Sequence, residues 1–264
     1  MGVSMTARPI IRPATSADLS QIERWLRAEY EVEHEGFYCN WRIIAEALDE
    51  GFLTVLMVGE DPVAFLAEEA SGPLILDVRI DQRAKGFGRL LAQHMIDSWR
   101  ERGVNVLDIE CAPQSSFGFW RKMGFQRLGD QGTWPDDMAP RAYLLFERRF
   151  ELPPGPRTPF EISFYRAQDW HADADPFRVY RGDGAITADG HWLQLPERVV
   201  CFDDRIEFSG LPDCFARVTV AGVDLFHGER AGEKVKYDEA ADIGFERADA
   251  GAREFYVDRL RLRS

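Results

Sequence analysis

The chain has 264 residues, 45% hydrophobic and 29% charged, which is the makeup of an ordinary folded protein of one large or two modest domains. A formal net charge of −13 and a pI of about 4.9 argue against a general binder of nucleic acid or anionic membrane, which would carry a basic face, and no apolar run approaches the length of a bilayer span. Cys39, Cys111, Cys201 and Cys214 are widely spaced, the five histidines show no metal spacing, and the N-terminus lacks the apolar segment of a secretory signal, so the expectation is a cytoplasmic protein with reduced thiols and no metal.

Ile10 to Pro13 reads as a short first strand. Thr15 and Asp18 stand in capping-box spacing, and Leu19, Ile22, Leu26 and Tyr30 recur at helical intervals, which predicts a first helix. Glu29, Glu31, Glu33 and Glu35 follow through a turn with His34 and Gly36 and read as a solvated surface. Asn40 is placed to cap a second helix carrying Ile43, Ile44, Ala47 and Leu48, which Gly51 would close. Phe52 to Val58 and Val63 to Glu69 read as strands about a turn at Gly59-Glu60-Asp61-Pro62.

The stretch from Leu74 to Trp99 carries the strongest pattern. Leu74 to Ile80 is apolar and β-branched enough for a buried strand. Asp81 to Gly88 is a short polar loop with glycines, and from Arg89 a helical period sets in, with Leu91, Met95 and Trp99 on one stripe and Gly103 at the end. Free N–H groups at a helix start, with the helix dipole, attract phosphate, and glycines let an anion come close to the backbone. Arg83, Lys85 and Arg89 add positive charge. A Rossmann fingerprint is incomplete, because Leu91 stands where its third glycine would be, and no Gly-Lys-Ser/Thr follows for a P-loop.

Val104 to Cys111 reads as the next strand, Ser115 to Met123 as a short helix ended by Gly124, and Phe125 to Leu128 and Arg141 to Phe150 as strands. Glu151 to Pro159 then holds four prolines and a glycine in nine residues and reads as a linker. Beyond it lie short β-like runs: Phe160 to Tyr165, Phe177 to Tyr180, His191 to Leu195, Arg198 to Phe202, Arg205 to Phe208, a hairpin of Cys214 to Val220 and Val223 to His227 about Ala221-Gly222, and a closing strand from Phe255. Turns at Gly182-Asp183-Gly184 and Asp189-Gly190 are expected between them. Such spacing suggests an all-β sandwich or small barrel.

Two segments carry a resemblance. Arg83-Ala84-Lys85-Gly86-Phe87-Gly88 resembles the R/Q-x-x-G-x-G/A loop of the GNAT acyl-CoA-dependent N-acetyltransferases, and Phe119 to Phe125 resembles that family's aromatic-x-K-x-G-F segment, at the expected distance downstream. The order of strands and helices over about residues 8–150 is also that family's. The resemblance implies an α/β GNAT-like domain, a mixed sheet with flanking helices, in residues 1–150; composition and strand spacing, not the resemblance, give the linker at 151–159 and the all-β domain at 160–264. It implies acetyl-CoA as cosubstrate and an amine of a small molecule or protein as acceptor, while the charge and the Cys/His spacing already noted give the expectation of no metal, no nucleic acid and no membrane partner.

By the same resemblance, the backbone N–H groups of Ala84, Lys85, Gly86, Phe87, Gly88 and Arg89, with Arg83, hold the pyrophosphate. Val78, Arg79 and Ile80 pair with the pantetheine arm at a splay between two strands, and Ser116 and Trp120 lie beside it. Acyl transfer to an amine needs a base, since the amine is mostly protonated at neutral pH. Asp108, on one strand face with Glu110, matches a position where many relatives hold a carboxylate; Asp77 is a second candidate, and Glu68 and Glu69 are weaker ones. Many relatives have an acidic tyrosine where this chain has Trp120, and an indole N–H cannot serve as an acid. Water, Ser116 or Tyr143 would then protonate the thiolate. Pro113 also replaces a frequent asparagine. The alternative is a non-catalytic acyl-CoA-binding module, with the β half binding a ligand or forming a homodimer.

Overall fold

The computed structural model describes residues 8–34, 36–128, 139–166, 175–202, 214–225, 233–234, 241–247 and 255–262. The chain divides into two compact units, one running to Gln126 with Ala142–Leu144 added, the other comprising Arg127–Arg141 and Leu145 onward.

In the first unit β1 (Ile10–Pro13), β2 (Leu53–Val58), β3 (Asp61–Glu69) and β4 (Gly72–Val78) form an antiparallel sheet in that order. β3 is its most buried strand. Val63 to Ala67 are all almost fully buried, because helices cover both faces. α1 (Ser16–Glu33) and α2 (Trp41–Asp49) cover one face, where Ile22, Trp25, Leu26, Ile44 and Ala47 share a cluster with Val55, Phe65 and Ile75. α3 (Phe87–Glu101) packs against β3 and β4 and buries Leu91, Met95, Ile96 and Trp99. β5 (Val106–Glu110), β6 (Gln126–Arg127) and β7 (Arg141–Leu145) form a separate sheet of order β5-β7-β6, with α4 (Phe117–Lys122) between β5 and β6 in sequence. β4 and β5 approach each other, yet among the described residues no ladder joins their sheets. The single mixed sheet expected from sequence is therefore two hydrogen-bonded sheets, and the break lies at the expected splay.

The cap of α1 forms as the spacing predicts. Thr15 N–H donates to Asp18 Oδ2 at 2.8 Å, and Asp18 N–H donates back to Thr15 Oγ1. Arg12 adds two bonds to the Asp18 carboxylate, which together hold it down at about 2. Three local expectations change. α1 continues beyond Tyr30 to Glu33, and His34 caps it in the left-handed region at φ 57°. Asn40 ends a short 3₁₀ turn, and its side chain makes no cap bond to α2; it accepts from Cys39 Sγ instead. α3 starts at Phe87, two residues before the apolar period begins.

The second unit is all antiparallel β. β8 (Arg157–Arg166), β9 (Arg178–Ile186), β10 (Trp192–Cys201), β11 (Cys214–Val220), β12 (Val223–Asp224), β14 (Phe245–Arg247) and β15 (Phe255–Arg261) run in the order β12-β11-β8-β9-β10-β15-β14, and β13 (Glu233–Lys234) pairs with β11. β8 and β14 stand four strands apart, which in a flat sheet is about 19 Å. Yet the Phe164 and Phe245 rings lie 6.1 Å apart, so the sheet curls over its own apolar face.

Four expectations change here. Arg157–Pro159 join β8 rather than the linker; Pro159 lies beyond the end of β11, where its missing N–H costs nothing and its carbonyl accepts from Ala221. Gly182-Asp183-Gly184 is no turn but the middle of β9. A Cβ on Gly184 would stand 2.6 Å from the Gln194 carbonyl oxygen, so that glycine serves close strand approach. The two runs around Pro196 form one strand, β10, whose register shifts between Gln194 and Val199. The strand from Arg141 ends at Leu145, and Phe150 N–H then bonds the Pro196 carbonyl. The run at 205–208, the end of the hairpin at 226–227, and Glu35 and His171 lie outside the described residues.

Candidate active site

β4 stops where its ladder to β3 stops. The last bond runs from Arg79 N–H to the Val63 carbonyl at 3.0 Å, and the chain turns through a 3₁₀ turn at Ile80–Gln82. Val78 then has both backbone groups directed away from β3: its N–H donates to Asp77 Oδ1 at 2.8 Å, and its carbonyl accepts from Arg83 Nε at 2.9 Å. These sheet-edge groups, held by side chains of the chain itself, lie where β4 and β5 fail to pair.

The loop closes on the head of α3. Ala84 and Gly86 both take positive φ, at 62° and 87°. Gly86 is the N-cap of α3; among the described residues there is no side-chain cap bond, and no acidic residue stands in the first turn. The N–H groups of Phe87, Gly88 and Arg89 thus keep the capacity for an anion. The two glycines do different work. Gly86 supplies the left-handed turn, and a Cβ there would meet open space. Gly88 supplies closeness: a Cβ would lie 3.3 Å from Val78 Cγ2 and 3.8 Å from the Phe119 ring. Lys85 is exposed, its Nζ donating to Gln82 Oε1.

Asp77 is buried on the face of β4 that α1 covers. Burial lifts its carboxyl to about 6, against the opposing pull of Arg83, whose Nη2 stands 3.2 Å from Oδ1, and of the Val78 N–H; the charge of Glu29 adds to the rise. Glu29 arrives from the last turns of α1, and its Oε1 accepts the Ile80 N–H at 2.8 Å. Its carboxyl is raised too, chiefly by burial. Glu29 is therefore not part of a solvated run, although Glu31 and Glu33 are exposed as expected. Sequence reasoning passed over Glu29, but the signal was present: it continues the stripe of Ile22, Trp25 and Leu26 by one more helical step. Arg79 is fixed by paired bonds to Asp61 and by Asp81, which raises its guanidinium further.

The structure thus gathers Asp77, Val78, Arg79, Ile80 and Arg83 at one strand end, beside the α3 head formed by residues 84–89. Asp108 stands with Glu110 on the exposed face of β5. Ser116 Oγ, at the start of α4, is buried and has no hydrogen-bond partner among the described residues. Trp120 is buried edge-on between Phe119 and Phe125, and the Tyr143 hydroxyl donates to Gln126 Oε1 at 3.0 Å. Glu68 is buried and accepts the Trp99 indole N–H at 2.6 Å, which explains its presence structurally. Among the described residues no group of three His, Cys, Asp or Glu could hold a metal ion, and no helix is long and apolar enough to cross a membrane.

The arrangement fits a ligand with a phosphate at one end and an extended amide-bearing arm. Uncapped N–H groups suit the first, an unpaired strand edge suits the second, and a buried basic carboxylate lies on the opposite face of that strand.

No protein-family model matches the chain, and no curated protein does either. Solved structures of acetyltransferases are similar to part of it. One is a GNAT-family acetyltransferase from Staphylococcus aureus, with 12% identity and a TM-score of 0.41 over 52% of this chain and 98% of that one. Another is an acetyltransferase from Thermus thermophilus, at 18% identity and a TM-score of 0.40 over 54% of this chain and 100% of that one. A third is the PaiA N-acetyltransferase from Thermoplasma acidophilum in complex with coenzyme A, at 15% identity and a TM-score of 0.40 over 53% of this chain and 99% of that one. About half of this chain is thus similar in structure to acetyltransferases of the GNAT family, and the rest lies outside that likeness.

Proposed function

We propose that the first unit is an acyl-CoA-dependent N-acetyltransferase that acetylates an amine of a small molecule or protein. The observation that carries this reading is the unpaired edge of β4 at Val78, set between the uncapped head of α3 and the buried carboxyl of Asp77. Acetyl-CoA, when bound, supplies an acyl group activated as a thioester. The N–H groups of Phe87, Gly88 and Arg89 hold the pyrophosphate, and the Val78 N–H and carbonyl receive the amides of the arm once their present partners give way. Asp77 takes the proton that the acceptor's ammonium must lose before its nitrogen can attack. A carboxyl near 6 is better matched to that task at neutral pH than an ordinary one. The amine nitrogen forms the amide bond as the carbon–sulfur bond breaks, the proton the nitrogen then sheds passes through water to the departing thiolate, and Ser116 Oγ, buried and unpaired among the described residues, donates a hydrogen bond to that sulfur. Asp108, from the next strand, is retained as the second candidate base.

For the β-rich unit the curled single sheet supports a small barrel over a sandwich, serving acceptor binding or homodimer formation. Cys39, Cys111 and Cys201 as free thiols accord with a cytoplasmic location.

The reading is tested by calorimetry with CoA and by thiol release from acetyl-CoA over a panel of primary amines. Binding with turnover supports it. Binding without turnover on any amine makes the chain an acyl-CoA-binding module, and absence of binding refutes the reading. Asp77→Asn and Asp108→Asn, compared in the same assay, assign the base.

A further inference from the structure

Arg83 holds two groups at once. Its Nε donates to the Val78 carbonyl at 2.9 Å, and its Nη2 to the Asp77 carboxylate at 3.2 Å. Arg83 is 55% exposed, whereas the Asp77 side chain is only 9% exposed. A solvated arm therefore reaches inward over a buried carboxylate. Arg79, four residues earlier, is the contrast: only 19% exposed and held by two carboxylates, it has little freedom to move. Arg83 also begins the loop that leads to the α3 head, so an anion seated there would lie within the loop's own span.

The charged and polar groups that face Asp77 come from three elements. The loop after β4 supplies the Arg83 guanidinium, β4 itself the Val78 N–H, and α1 the Glu29 carboxylate. Glu29 in turn faces the Ile80 N–H, Arg83, Asp81 and Arg79. Among the described residues Arg83 is the cation directly bonded to Asp77, and it is also placed to serve a phosphate. A guanidinium forms stronger paired hydrogen bonds to phosphate than to one oxygen of a carboxylate.

We infer that Arg83 is a positioning residue that couples the phosphate cradle to Asp77: a bound phosphate draws its guanidinium away, which opens the Val78 carbonyl at the strand edge and leaves Asp77 beside Glu29 as a stronger base. This rests on the acyl-CoA reading of the same site. Its consequence is order. In the free protein Asp77 is partly neutralised by Arg83, and the full proton-accepting capacity develops only when the cradle is filled.

The test follows the Asp77 carboxyl by carbon-13 NMR in the full chain, with Asp77→Asn assigning the resonance and desulfo-CoA as the ligand. Calorimetry run in parallel reports binding. Desulfo-CoA should move the Asp77 midpoint upward by about one unit, the scale of losing one adjacent, partly solvated opposite charge. Arg83→Gln should raise the midpoint of the free protein by a similar amount, and desulfo-CoA should then add little. Arg83→Lys, which keeps the charge but not the fork, should lie between. Binding with an unmoved midpoint overturns the coupling and leaves the acyl-CoA reading intact. A shift of equal size in Arg83→Gln would arise from the phosphates rather than from Arg83, and also overturns it. Absence of binding removes the acyl-CoA reading and the coupling together. Should Arg83→Gln fail to fold, the wild-type comparison and Arg83→Lys decide the matter.

Discussion

Asp77→Asn should make the protein more stable at pH 7 while removing turnover. The carboxyl of Asp77 rises from 3.8 to about 6 on folding, chiefly through burial. The sign follows from that direction. A raised carboxyl favours the protonated form in the folded state, so its contribution is complete below 3.8 and is lost as pH rises through about 6. At about 1.36 kcal/mol per unit, the ionised group costs up to about 3 kcal/mol at pH 7. Asparagine removes that cost, and its Oδ1 can still accept the Val78 N–H. The opposing pull of Arg83 is already contained in that net rise. The gain at pH 7 is therefore up to about 3 kcal/mol, shrinking to nothing near pH 4. Thermal unfolding of both proteins between pH 4 and 8 measures it, with turnover assayed alongside. Loss of a general base should lower kcat by about 10²–10⁴. A variant equally stable or less stable than wild type across the whole range would refute the burial argument. Undiminished turnover would remove Asp77 from the chemistry.

Asp18→Ala should cost about 1–3 kcal/mol, since it removes the capping box and leaves Arg12 unpaired. As Asp18 is held down at about 2, that contribution is present above pH 3.8 and lost as pH falls toward 2, which acid unfolding of the pair will show. Ser116→Ala should leave the melting temperature unchanged or raised, because the hydroxyl is buried without a partner among the described residues, yet lower kcat; a clear loss of stability with normal kcat would give Ser116 a structural role. Gly86→Ala should cost about 1–2 kcal/mol through its positive φ alone, whereas Gly88→Val should cost about 1–3 kcal/mol through crowding against Val78. Both should weaken CoA binding in calorimetry, and full affinity in a folded Gly88→Val protein would count against the cradle.

Several features were legible because their causes lie within a few residues. The Thr15–Asp18 box needs only i to i+3 spacing, and it forms as read. The Gly86 turn needs only positive φ before a helical period. The order strand, loop, helix over residues 72–101 follows from the switch between apolar run and helical stripe. The curled β unit was legible as short strands, but its pairing was not. Gly182 and Gly184 have the composition of a turn, and only the neighbouring β10 shows that Gly184 is there to admit the Gln194 carbonyl.

The site divides the same way. The sequence by itself determined where an anion-binding helix start would stand, because glycine conformation and helix capping are local properties. It also marked Asp77 as a carboxylate within an apolar strand. Tertiary structure alone decided which groups meet it. Glu29 reaches the Ile80 N–H across 51 residues of sequence, and the end of the β3–β4 ladder turns the Val78 carbonyl toward Arg83. Burial depends on what packs above a strand, and a carboxyl responds to burial and to charges that chain order does not place beside it. That is why the position of Asp77 could be read from the sequence, while its protonation and its partners became visible only in the fold.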